Sequence, residues 1–219
     1  MSLNDFLTQH PRLTKSFKNF VHDFQKKMDD ETFTAFLDTL DAELSRVSGE
    51  LQAISPESQR ARTLHHLVDS EIDSEKEIQV SCRKGCSACC HMEVEITNHE
   101  AQILSQLILD GHPIDRERLS RQSLRELQDP LWKQGMRNQD NPCVFLNSEG
   151  SCSVYEHRPV MCRRHSVTTP AKNCETLDAT ITVRYFPKVD LYISAANEDS
   201  TVLIGPMAKM ISLELGGRS

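Results

Sequence analysis

The chain has 219 residues, a formal net charge of −7 and a mean hydropathy of −0.47. That length can bury a core as one large domain or two small ones. No apolar run approaches the roughly 20 residues that span a bilayer, and an acidic chain without a long basic run lacks the electrostatic footprint of a nucleic-acid binder.

In chain order, the first third reads as helices. The segment from Met1 to Phe6 has no basic stretch followed by an apolar one, so no secretory signal is expected and a reduced, cytoplasmic setting is. Ser2 can cap a short helix that stops before Pro11. Leu13, Phe17, Phe20, Val21, Phe24 and Met28 recur at spacings of three and four, the apolar stripe of a second helix. Phe33, Phe36, Leu37, Leu40, Leu44 and Val47 repeat the pattern, with Gly49 as the expected stop. Ser55-Pro56-Glu57 suits a helix entry, and Leu64, Leu67, Val68 and Ile72 give that helix its buried face. The aromatic stripe over residues 17–36 reads as packing between helices. His65 and His66, about 100° apart on a helix, cannot readily share a metal and read as surface or satisfied histidines.

The cysteines come next. Cys82, Cys86, Cys89 and Cys90 place four thiols in nine residues, and Cys143, Cys152, Cys162 and Cys174 follow in loop-like sequence; all eight lie between residues 82 and 174. Ordinary buried thiols would scatter over hydrophobic faces, whereas C-x3-C-x2-C-C is too dense to share one. Disulfides belong to oxidising compartments, and a bridge between neighbours Cys89 and Cys90 would be strained. Metal ligation suits the pattern, because deprotonated thiolates bind zinc or iron–sulfur iron tightly. Side chains of adjacent residues normally diverge. Cys89 and Cys90 are therefore expected either to serve two neighbouring sites or to supply one ligand between them. Arg158, Arg163, Arg164 and Lys172 outnumber Glu149 and Glu156 nearby, and such cations offset bound thiolates and lower thiol pKa values.

Between the cysteine groups, Met92 to Ile96 alternates as a short extended segment. Thr97-Asn98-His99-Glu100 is a capping box opening a helix with Ile103, Leu104, Leu107 and Ile108, which ends at Gly111. Asp115 opens another, with Leu119, Leu124 and Leu127. These two helices are expected to supply the core on which distant thiols converge. Asn147-Ser148-Glu149-Gly150 is a turn. Beyond the cysteines, Ile181, Val183 and Tyr185, then Val189, Leu191 and Ile193, alternate as two strands around Pro187. Pro206 starts a last helix with Met207, Met210, Ile211 and Leu215, closed by Gly216 and Gly217.

The ordered motifs C-x3-C-x2-C-C, P-C-x-F-L and C-x-V-Y-x-x-R-P-x-x-C-R, over about residues 82–165, closely resemble the YkgJ-type cysteine-cluster family of zinc- or iron-chelating proteins. Cys82, Cys86, Cys89, Cys90, Cys143, Cys152 and Cys162 match family positions, and Cys174 fits a later, less regular cysteine. The resemblance implies metal binding with no settled reaction. Arg158, Arg163 and Tyr155 match as well, and imply arginines hydrogen-bonding ligand sulfurs or carbonyls and a tyrosine packed over the site. His91 and His165 could replace a thiolate at zinc. A flagellin lysine methylase family looks similar in its cysteine cluster, which brings in methyl transfer by analogy. Cys82, Cys86 and Cys89 share the spacing of the radical-SAM cluster motif, but the chain lacks the strand–helix alternation of that barrel.

The expected fold is mainly α with a small β component. An N-terminal helical segment, residues 1–80, packs on a loop-rich cysteine-cluster domain, residues 81–219. The expected function is metal binding through all eight cysteines, as an iron–sulfur cluster of the 4Fe–4S kind or as zinc, acting in metal handling or electron transfer. The alternatives are a zinc-stapled interaction module whose N-terminal helices take a protein partner, or an enzyme resembling the methylase. No phosphate loop or serine-hydrolase elbow is present.

Overall fold

The structure, a computed structural model, describes residues 1–75, 77–127, 141–176 and 179–217. Its elements are α1 (Leu3–Gln9), α2 (Lys15–Gln25), α3 (Asp30–Gln52), α4 (Glu57–Ser74), β1 (Glu95–Thr97), α5 (Asn98–Leu109), α6 (Arg116–Gln122), α7 (Val160–Arg164), α8 (Pro187–Asn197), β2 (Ile204–Pro206) and α9 (Met207–Gly216), with 3-10 turns at Ala88–His91, Tyr155–His157 and Ala171–Glu175. The fold is mainly α with a small β component. No helix among the described residues is long and apolar enough to cross a membrane.

The chain divides into two compact units, residues 1–74 with 185–202, and residues 75–184 with 203–219. In the first, α8 packs against α2, α3 and α4. The strand expected at Val189, Leu191 and Ile193 is this helix. Pro187 pre-sets its first turn. The residues from Val189 to Ala195 are all buried. A helix enclosed on every side need not show a one-sided stripe, and a chance alternation of apolar residues then imitates a strand. Ile181 and Val183 form no strand either; Val183 makes one isolated bridge to Val167 and is 51% exposed.

Helix α3 runs past Gly49 and closes at Ala53. One helical glycine costs about 1 kcal/mol, whereas burying Leu51, 2% exposed, returns roughly 1.5–3 kcal/mol. Phe20 meets Phe17, Phe24, Phe36 and Tyr185 at ring-centroid distances of 5.8, 4.6, 6.2 and 5.9 Å, so the aromatic stripe packs ring against ring, with Phe17 and Phe33 buried and Phe20, Phe24 and Phe36 half-buried. The Arg12 guanidinium donates to the carbonyls of Asn197, Asp199 and Val202, satisfying backbone acceptors at and just beyond the end of α8.

In the second unit β1 and β2 pair antiparallel, Ile96 opposite Gly205. Helix α9 packs against α5 and α6. The core includes Ile96, Leu104, Ile108, Phe145, Val154 and Ile211, with Cys143 and Cys152 packed against it. Helix α6 starts at the Asp115 cap but is shorter than its leucines suggest. It ends at Gln122, and Leu124 is 84% exposed.

Candidate metal centre

The first thiol segment is shaped by two tight turns. The Cys86 amide donates to the Arg83 carbonyl at 3.0 Å, with Gly85 at φ 90, a left-handed conformation that disfavours side chains. The Cys90 amide donates to the Ser87 carbonyl at 2.9 Å inside the 88–91 turn. Cys82 is anchored separately, its sulfur accepting from the Val167 amide at 3.3 Å while the Ser81 amide donates to the Val167 carbonyl at 2.8 Å.

The second segment returns directly onto the first. The Cys143 amide donates to the Cys90 carbonyl at 2.7 Å, so the two cysteine groups are joined through backbone. Helix α6 holds that junction. Arg118 donates to the Cys143 carbonyl at 2.7 Å, and Gln122 donates to the Pro142 carbonyl at 3.0 Å. The expected turn follows: Asn147 Oδ1 accepts the amides of Glu149 and Ser151, Gly150 takes φ 72, and Leu146 bridges Cys152. Cys162 rides on α7, whose first amide, that of Val160, donates to Glu100 Oε1 at 2.8 Å. Oε2 of the same buried carboxylate closes the capping box on Thr97.

Cys86, Cys89, Cys90, Cys143, Cys152 and Cys162 line one cavity of about 250 Å³. Cys82 and Cys174 do not line it. They lie beside it, and burial, with smaller contributions from charge on Cys86 and Cys89, raises the pKa of each. Cys89 and Cys90 do not diverge into separate surroundings, because both face the cavity and their thiols hydrogen-bond. Among the described residues no three His, Cys, Asp or Glu side chains already stand in a closed ion-binding arrangement. The donor set nonetheless fits a thiophilic centre in its chemistry, since it is rich in soft sulfur.

The electrostatics separate one thiol from the rest. Cys89 is pulled down to about 7, chiefly by the hydrogen bond from the Cys90 thiol, with help from the Arg158 guanidinium and against burial. Cys90 is driven up by making that bond and by burial. Burial pushes Cys143 up to about 12 and also raises Cys152 and Cys162. Arg158 opposes the rise at Cys152 and Cys162. Its guanidinium carbon lies 3.7 Å from the centre of the Tyr155 ring, and its Nε donates to the Tyr155 carbonyl at 3.0 Å. Arg163 donates to the carbonyls of Arg158 and Glu156, both at 2.6 Å. Both arginines thus donate to carbonyls of residues 155–158. His165 lines the cavity, its pKa lowered by burial and Arg164, which favours the neutral imidazole that a metal takes.

Three positioning residues, Glu100, Arg118 and Gln122, carried no site signal in the sequence. Glu100 showed only its capping role, and Arg118 and Gln122 were unremarked polar positions on a helix.

The site is thus a thiol-lined cavity framed by short turns and a small helical core. Residues 81–182 are similar to the family model CxxCxxCC, described as "Putative zinc- or iron-chelating domain". No curated protein and no solved structure matches the chain.

Proposed function

We propose that the domain is an iron–sulfur protein, with its cavity thiols holding a cluster of the 4Fe–4S kind and all eight cysteines serving as metal ligands. The observation that carries this reading is the cavity of about 250 Å³ lined by six cysteines. A lone zinc ion draws four sulfurs to about 2.3 Å from itself and leaves no space among them. A cluster of iron and sulfide needs an enclosed volume of its own and thiolates around its edge. Arg158 beside Cys89 and Cys152 offsets thiolate charge, and Met92, Met161, Val94 and Val154 limit water at the wall. Bound there, a cluster supplies reversible one-electron chemistry. The chain's own residues fix the thiols, tune their charge and shield them, which suits electron transfer or metal handling.

The test is anaerobic purification followed by iron, zinc and acid-labile sulfide analysis with a visible spectrum. Iron and sulfide in comparable amounts with broad absorption are expected. A colourless protein holding only zinc after reconstitution with iron and sulfide would sink the cluster and leave the zinc-stapled module.

A further inference from the structure

We infer that the basic rim of the thiol cavity is a docking surface for an acidic protein, the partner with which the centre exchanges its electron or its metal. This rests on the reading that the thiols hold a centre, and it adds the kind of partner and the side chains that receive it.

The rim is built by the same short segments that carry the thiols. Residues 81–92 and 152–175 hold Arg83, Lys84, Arg158, Arg163, Arg164 and Lys172 against Glu156 and Glu175, in a chain whose formal net charge is −7. Arg83 and Lys84 are exposed in the turn that the Cys86 amide closes on the Arg83 carbonyl, and Cys86 itself lines the cavity. Lys172 is exposed on the 171–175 turn, which packs against the 88–91 turn. One half-buried ring joins the two segments: the centre of Tyr155 lies 5.7 Å from Lys84 Nζ and 3.7 Å from the Arg158 guanidinium carbon. Arg158 also lines the cavity, so the ring and its two cations lead from the surface to the thiols. Among the described residues no carboxylate pairs with Arg83, Lys84 or Lys172.

The occupant follows from the charge and from its mixture. Exposed cations on an otherwise acidic chain attract a negative partner and orient it, because the remainder of the chain repels it. A tyrosine beneath an arginine brings together two residue types that protein interfaces favour. Glu156 is exposed within the rim, and Glu93 and Glu95 stand in the cavity wall. These carboxylates repel the uniform charge of a nucleic acid or an anionic lipid surface, whereas a folded protein can set a cation opposite Glu156.

The experiment uses the full chain, purified anaerobically and loaded with iron and sulfide or with zinc chloride. The probe is a fluorescein-labelled helical peptide of alanine and glutamate, with its glutamates on one face, followed by fluorescence anisotropy at low and high salt. Binding that weakens as salt rises is expected. Lys84→Glu and, separately, Lys172→Glu should each weaken it about fivefold. Lys15→Glu, the same change of net charge at the exposed start of α2, should leave it unchanged. The peptide with lysines in place of its glutamates should not bind. Circular dichroism checks that each variant is folded, and metal counted per chain on the same samples reports the centre separately. Absence of peptide binding by a metal-loaded chain would overturn the surface and leave the metal reading intact. So would equal weakening by Lys15→Glu, or tighter binding of a single-stranded oligonucleotide or of phosphatidylserine vesicles than of the peptide. A chain that binds the peptide through Lys84 and Lys172 and takes up no metal would sustain the surface and remove the metal reading.

Discussion

Oε1 of Glu100 accepts the Val160 amide at 2.8 Å while Oε2 accepts from Thr97, so one carboxylate, 1% exposed, ties the start of α5 to the start of the short helix bearing Cys162. Glu100→Ala removes a helix cap and leaves a buried amide without its partner, and should destabilise the chain by about 2–4 kcal/mol. Thr97→Ala, which loses only its side of the cap, should cost about 1 kcal/mol. Urea unfolding measures both. If Glu100 positions Cys162, iron content should fall in Glu100→Ala and stay intact in Thr97→Ala.

Arg158 stacks on Tyr155, adds to the lowering of the Cys89 pKa that the bond from Cys90 chiefly causes, and opposes the burial that raises Cys152 and Cys162. Thiols must lose protons to bind metal, so removing this cation should make loading require a higher pH. Arg158→Met is expected to move the midpoint of zinc loading upward by roughly one pH unit, and Arg158→Lys by much less. Loading curves between pH 5 and 8 that coincide for wild type and Arg158→Met would remove Arg158 from this role.

Burial holds Cys143 up at about 12 in the folded, metal-free chain, above the roughly 8.5 of a free thiol. The folded state then keeps a proton that the unfolded state releases. The stability from this thiol is complete below the unfolded value and is lost as pH climbs toward 12. Reduced, chelated protein should therefore lose stability on the order of a few kcal/mol between pH 8 and 11, read from urea midpoints. Cys143→Ala should flatten that slope.

Arg12 donates to three backbone carbonyls near the end of α8. Arg12→Ala strands those acceptors and should cost about 2–4 kcal/mol, seen as a lower urea midpoint. Arg12→Lys, with a single point charge in place of a planar fork, should recover only part of it.

Local features of the chain were legible one element at a time. Ser2, Thr97 and Asp115 act as caps because a side-chain oxygen reaches an amide three residues on, an interaction written within a few residues. The Asn147–Gly150 turn was legible for the same reason. The end of α3 and the identity of α8 were not, because burial of Leu51 and of residues 189–195 depends on what surrounds them.

By itself the sequence determined the chemistry of the domain, since sulfur type, number and spacing are properties of the chain. It also determined most helix starts, which are local. Only the tertiary structure decided that Cys143 returns onto Cys90 through a backbone bond, that six thiols share one cavity while Cys82 and Cys174 stand beside it, and that Glu100, Arg118 and Gln122 hold the arrangement. Those are contacts between residues from about 20 to 60 positions apart. No periodicity or cap encodes such a contact; it exists because α5, α6 and α9 bury a common core and carry the loops to meeting points.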